Sequence, residues 1–165
     1  MIEQLLIFYI ILLRIFELRL SSKNTKILLS KGAVEQYSSH YKYFIIFHVV
    51  FIVYFFIKSF SYIETNYIFY CLFFLTQIIR YLVIKELGGL WTTRIIVCNN
   101  TPLVKTGIYR YFRHPNYMVV ISEIIIICLI FIDYYALAFF TFLKIILLSI
   151  RIYFEDKANK KRRII

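Results

Sequence analysis

Glycine is scarce in this chain, at 4 of 165 residues, and proline scarcer still, at 2. That excludes a collagen-like repeat, a Gly/Ser/Pro-rich linker and a low-complexity chain. Negative charge is scarce as well: 9 acidic residues stand against 20 Lys and Arg, a formal net charge of +11. Cysteine amounts to 3 residues, Cys71, Cys98 and Cys128, an odd and widely spaced set that excludes a disulfide framework and a cysteine-based metal site. No metal is expected. What the chain has in excess is apolar and aromatic: 61% hydrophobic residues, with 17 Phe and 15 Tyr. Soluble domains sit near about 45–50% apolar, and the mean hydropathy here is +0.74. Disorder is therefore excluded, and the composition is that of an integral membrane protein.

A spanning helix needs about 20 mostly apolar residues, because the hydrocarbon core is roughly 30 Å thick and every backbone polar group must be satisfied inside it. Five runs qualify, over 2–20, 43–57, 67–84, 117–132 and 134–150, the last two separated by Asp133 alone. The expectation is an all-α membrane protein of about five transmembrane helices with a tight C-terminal helical hairpin, forming a single domain over 1–165. Within it, residues 1–66 supply two spans and 80–165 the functional core. Basic residues crowd into three segments: Lys23, Lys26, Lys31 and Lys42; Lys85, Arg94, Lys105, Arg110 and Arg113; Lys157, Lys160, Lys161, Arg162 and Arg163. Short cytoplasmic loops carry such excesses, which puts the N-terminus outside and the C-terminus in the cytoplasm. The first run lacks a basic leader and a small-residue cleavage site, so it reads as a retained span. Topology and attraction to anionic lipid headgroups account for the net charge, so no nucleic acid is expected as a partner.

Ionisable residues inside the runs are costly unless paired, snorkelling or facing a polar cavity. Arg14 and Glu17, three apart near a span end, read as a local ion pair with snorkelling, whereas Lys144 leaves pairing and function equally open. Glu123 is different: it stands about 12 Å along a helix that Pro115 begins, too deep for a short side chain to reach water. Asn116, Val120, Glu123 and Ile127 then share one face. Just before this helix lies Gly107-Ile-Tyr-Arg110-Tyr-Phe-Arg113-His114-Pro115-Asn116-Tyr117, which joins guanidinium forks, an imidazole and phenols to a helix N-terminus. Such a set suits a ligand with a carboxylate, a phosphate or a ring to stack on, and equally suits an interfacial aromatic belt. After the last run, Arg151 and Glu155 lie four apart, with Asp156 beside them: two acids in a basic tail, placed to hold the amino group of a zwitterion. Gly32-x-x-Glu35 and His40-Tyr41 leave two readings open, an acceptor-side lid and an ordinary interfacial loop. His48, inside the second run, reads as a packing histidine.

The stretch Gly107 to Tyr117, the membrane-buried Glu123 eight residues after the proline, and the closing Arg151-x-x-x-Glu155-Asp156 resemble the isoprenylcysteine carboxyl methyltransferase family. The resemblance covers roughly residues 80–165, with Asp156 where the family usually carries a second glutamate. It implies a membrane-embedded enzyme that uses S-adenosyl-L-methionine bound on the cytosolic side and takes a lipophilic acceptor from the bilayer. Carried over, His114, Pro115, Tyr117, Glu123, Arg151 and Glu155 would bind the cofactor, with Glu123, Arg110 and Arg113 as catalytic candidates, one of the arginines holding the acceptor oxyanion. The segment Gly88 to Ile96 looks more like a bacterial branch that methylates long-chain alkylpyrones, so the acceptor is expected to be such a hydroxyl or a prenylcysteine carboxylate. Competing readings are a nicotinamide-dependent membrane reductase, a phospholipid N-methyltransferase and a non-enzymatic membrane-anchoring protein.

Overall fold

A computed structural model of the chain describes residues 1–61, 66–98 and 101–160, so the expectations placed on Lys161, Arg162 and Arg163 lie outside the described residues. The architecture is nearly all-α. Five helices follow in order: α1 (Ile2–Ser30), α2 (Tyr41–Lys58), α3 (Tyr67–Leu87), α4 (Pro115–Ile130) and α5 (Tyr134–Ala158). The segments Ser38–Lys58, Tyr67–Leu90 and Tyr134–Ala158 are long and apolar enough to cross a membrane. Helix α4 has 16 residues, about 24 Å, and is the short partner of the C-terminal hairpin. It starts at Pro115, as expected, because proline, with no N–H to leave unpaired, begins a helix at no cost.

The largest departure from the expected boundaries is α1, which runs ten residues past its apolar stretch. Its final turns are held by polar contacts. Asn24 Nδ2 donates to the carbonyls of Gly88 (3.1 Å) and Trp91 (2.8 Å), and Ser21 Oγ accepts from the Thr93 N–H at 2.8 Å. Lys23 and Lys26 stay exposed on the opposite side. Both α1 and α4 close with the same pair of backbone bonds to the last-turn carbonyls. In α1, Gly32 sits in the left-handed region at φ +83°; in α4, a β-branched residue, Ile132, takes that place at φ +48°.

Between α1 and α2, strand β1 (Val34–Glu35) pairs antiparallel with β2 (Ile96–Val97), Val34 opposite Val97 and Glu35 opposite Ile96. Arg94 reinforces the pair with a two-pronged bond to Glu35 at 3.1 and 3.0 Å. The Gly32-x-x-Glu35 stretch thus docks onto the polar segment between α3 and α4, whose Trp91, Ile95 and Val97 are buried. The dry core lies at the other end of the bundle, where Leu6, Ile7 and Ile10 of α1, Phe47, Phe51 and Phe55 of α2, Phe73 of α3, Ile124 and Ile127 of α4 and Phe140 of α5 pack together. Phe140 meets the rings of Phe51 and Phe47 edge-on, at 5.0 and 5.9 Å between centroids, the arrangement aromatic quadrupoles favour.

Candidate active site

Two cavities occupy the end of the bundle opposite the aromatic core. The upper one, about 550 Å³, is walled by the segment after α3, the Gly107–Arg110 turn and its continuation, the start of α4 and the end of α5. The turn depends on Gly107: at φ +53° its backbone is in the left-handed region, and a Cβ there would lie 2.7 Å from the Glu86 carboxyl, which accepts a hydrogen bond from Thr106. The His114 ring stacks on Tyr117 at 5.2 Å with an 11° tilt, and its Nε2 lies 3.6 Å from Asp156 Oδ1. Tyr117 donates its hydroxyl hydrogen to Glu155 and accepts from Arg151 Nε at 3.0 Å, which ties α4 to α5 across the cavity floor. Arg113 Nη2 reaches to 3.7 Å from Asp156 at the rim. Burial pushes the Tyr109 phenol well above its usual value, and the Glu155 and Glu86 carboxylates push it further, so it stays a donor.

The lower cavity, about 200 Å³, lies deeper, among all five helices. Exposed Leu18, Ile45 and Val49 line it, so it reaches the hydrocarbon-facing surface between α1 and α2. Trp91, Thr92, Asn116, Tyr117 and Arg151 line both cavities and form their common wall. Trp91 Nε1 and Asn116 Oδ1 are buried there without a hydrogen-bond partner. Buried polar atoms in a folded protein are almost always paired, so orphans gathered at one wall point to a ligand that pairs them.

Beneath the lower cavity runs an ion network. Glu123, 1% exposed, receives Arg80 Nε (2.8 Å), Gln77 Nε2 (2.7 Å) and Arg14 Nη2 (2.7 Å), and Arg80 Nη2 closes a second prong. Glu17 is held by Arg14 at 2.6 Å and by Arg80. The expected Arg14–Glu17 pair therefore exists but does not snorkel: Glu17 is 4% exposed, and the pair is locked into α3 and α4. Two guanidinium forks between two carboxylates satisfy each other's geometry, which is what keeps four charges buried together.

Of the residues singled out from the sequence, His114, Tyr117, Arg151, Glu155, Arg110 and Arg113 come together on the wall of the upper cavity. Pro115 and Glu123 do not. Pro115 is buried as the first residue of α4, and Glu123 stands behind the lower cavity, where it fixes Arg14 and Arg80.

A sequence model of the Isoprenylcysteine carboxyl methyltransferase (ICMT) family matches residues 67–160. The chain belongs to this family. The matched region takes in α3, α4, α5, the lining of the upper cavity and about half of that of the lower one, and with the apolar helices it points to a membrane methyltransferase. Among curated proteins, the uncharacterized protein YpbQ of Bacillus subtilis strain 168 is 34% identical over 158 residues, covering 93% of this chain and 94% of the relative. An uncharacterized protein of Haemophilus influenzae is 27% identical over 121 residues, 70% of each chain. No solved structure gives a significant match.

Sequence reasoning missed the contributions of α1 and α2 to the lower cavity. Trp91 carried a signal, being the single tryptophan in a polar segment. Lys144 and His48 are 96 residues apart, and no local pattern joins them.

Proposed function

We propose that the protein transfers a methyl group from S-adenosyl-L-methionine to an oxygen of a lipophilic acceptor, with the cofactor in the upper cavity and the acceptor headgroup in the lower one. One observation carries this reading: two cavities, one walled by charged and aromatic groups and one reaching hydrocarbon, meet at a wall of five shared residues. The upper cavity fits the cofactor by chemistry. Glu155 and Asp156 offer carboxylates for an ammonium, Arg110 and Arg113 offer guanidinium forks for a carboxylate, and the orphaned Trp91 Nε1 and Asn116 Oδ1 supply a donor and an acceptor.

The sulfonium of the bound cofactor supplies an electrophilic methyl. The chain's own residues supply position and electrostatics. Tyr117 and Arg151 stand between the cavities, Arg151 bonded to Tyr117 and Tyr117 to Glu155, so the wall is rigid where two reactants would meet. Arg151 lies over the rings of Phe44 (5.3 Å) and Tyr117 (5.7 Å), which holds its charge beside the lower cavity. An acceptor that is already ionised, a carboxylate or an acidic enol, needs orientation more than a base. An isoprenylcysteine-type carboxylate and a long-chain alkylpyrone hydroxyl both meet this description. Five spans with the N-terminus outside and the C-terminus cytoplasmic put the upper cavity on the cytosolic side of what we take to be a bacterial cell membrane.

Calorimetry of S-adenosylmethionine with detergent-purified protein tests the reading. Binding on the order of micromolar is expected, weakened about tenfold or more by Glu155→Gln and by Tyr117→Phe. A folded wild-type sample that binds none overturns it.

A further inference from the structure

Lys144 is the charge that the site leaves over. It stands near the middle of α5, 1% exposed. Among the described residues no carboxylate forms an ion pair with it: both oxygens of Glu17 and of Glu123 are taken by Arg14, Arg80 and Gln77. Its Nζ lies over the rings of Phe47 (4.7 Å) and Phe44 (5.0 Å) and 3.5 Å from His48 Nε2. His48 Nδ1 is 2.7 Å from the Phe44 carbonyl, which can only accept, so Nδ1 carries the hydrogen and Nε2 presents a lone pair to the ammonium. Two ring faces offset part of the cost of burying a cation. A cation at the centre of a spanning helix is costly unless it is paired, and one neutral imidazole leaves two of its three donors unused. Lys144 lines the lower cavity together with Arg14, Arg80, Arg151 and Glu17.

Building on the methyltransferase reading, we propose that Lys144, oriented by His48, is the group that binds the anionic headgroup oxygen of the acceptor and selects acidic lipophiles over neutral or cationic ones. The surroundings favour an anion. Four cations line the cavity, and Arg14 and Arg80 are matched by Glu17 and Glu123 while Arg151 leans on Tyr117 beside Glu155. An entering oxyanion completes the pairing of Lys144, whereas an entering ammonium adds a like charge in a medium of low dielectric. The open side between Leu18, Ile45 and Val49 leaves the acceptor's chain in hydrocarbon while its head is inside.

Trp91, the single tryptophan and part of the cavity wall, is a built-in reporter. In nanodiscs of zwitterionic lipid, its emission is titrated with hexadecanoate, hexadecanol and hexadecylamine, for wild type, Lys144→Met and Lys144→Gln. The acid is expected to bind wild type about tenfold or more tightly than the alcohol or the amine. Both variants should lose this preference while binding the alcohol within about twofold of wild type. Equal binding of the three probes by wild type overturns the proposal, and so does parallel loss of acid and alcohol in a variant, which marks a packing role. Should neither variant fold, the wild-type series alone decides. The titration needs no S-adenosylmethionine, so a missing acid preference with cofactor binding intact refutes the role of Lys144, while retained preference without cofactor binding refutes the methyltransferase reading.

Discussion

The two ends of this bundle bury charge in different ways. At the hairpin end, Asp133 is fully satisfied: it accepts from Tyr54 Oη at 2.6 Å, from Lys58 Nζ, and from the Ala136 N–H at 2.9 Å, capping α5. Against the opposing effect of burial, these bonds hold its carboxyl down to about 2. At the cavity end, a four-charge network is closed, yet beside it lie a lysine with no counter-ion among the described residues and two orphaned polar atoms at one wall. The lesson is that burial of polar groups does not by itself mark function; incomplete pairing points to a ligand where the unpaired groups also line a cavity.

Breaking the network should have the largest effect. Glu123→Gln leaves Arg14 and Arg80 to share Glu17, and a loss of about 3–5 kcal/mol is expected in thermal or denaturant unfolding in detergent. Adding Arg80→Met to this variant should recover much of the loss, since removing both members of a buried pair costs less than orphaning one. The hairpin end should respond more weakly. Asp133→Ala removes a cap and an ion pair and is expected to cost about 1–2 kcal/mol in the same assay. A cost equal to that of Glu123→Gln would erase the contrast between the ends.

The two ends also differ in acid. Because the Asp133 carboxyl is depressed in the fold, its contribution is complete above the ordinary carboxylate range, near pH 4, and is lost as pH falls through about 2. Asp133→Asn should flatten the unfolding profile between pH 4 and 2 while leaving it unchanged at pH 7 apart from a constant offset. Smaller still is the effect of Ile132→Gly. A β-branched residue at φ +48° is strained where Gly32 in the matching turn of α1 is not, so the variant should gain about 1 kcal/mol in melting experiments. At the rim, Arg113→Gln removes an ion pair whose arginine is 58% exposed, and the change in stability should stay under about 0.5 kcal/mol. Any larger effect of that variant on cofactor affinity separates binding from folding.

Much of the upper cavity was legible in the chain because its residues are close in sequence. Arg110, Arg113, His114 and Tyr117 fall within eight residues, and Arg151, Glu155 and Asp156 within six. Local geometry then carries them to one place: a turn, a proline that starts α4, and an i,i+4 face of α5. The lower cavity was not legible. Arg14, His48, Arg80 and Lys144 come from four different helices, and from the sequence Arg14 reads as a snorkelling partner of Glu17, His48 as a packing histidine and Lys144 as open between pairing and function. Glu123 shows the limit most clearly, since its depth made it conspicuous while its partners, Arg14 and Arg80, lie 109 and 43 residues away.

Composition and periodicity alone determined that this chain is helical and belongs in a membrane, because hydrocarbon admits few other ways to satisfy a backbone. Local spacing determined where α4 begins, which acids close α5 and which cluster faces the polar side. Tertiary packing decided the rest: that α1 runs on to hold Trp91, that Glu123 braces arginines behind the cavity wall, and that Lys144 is left without a carboxylate among the described residues. The physical reason is that the fate of a buried charge depends on which partners lie within about 4 Å, and those partners come from helices whose mutual placement no single stretch of sequence encodes.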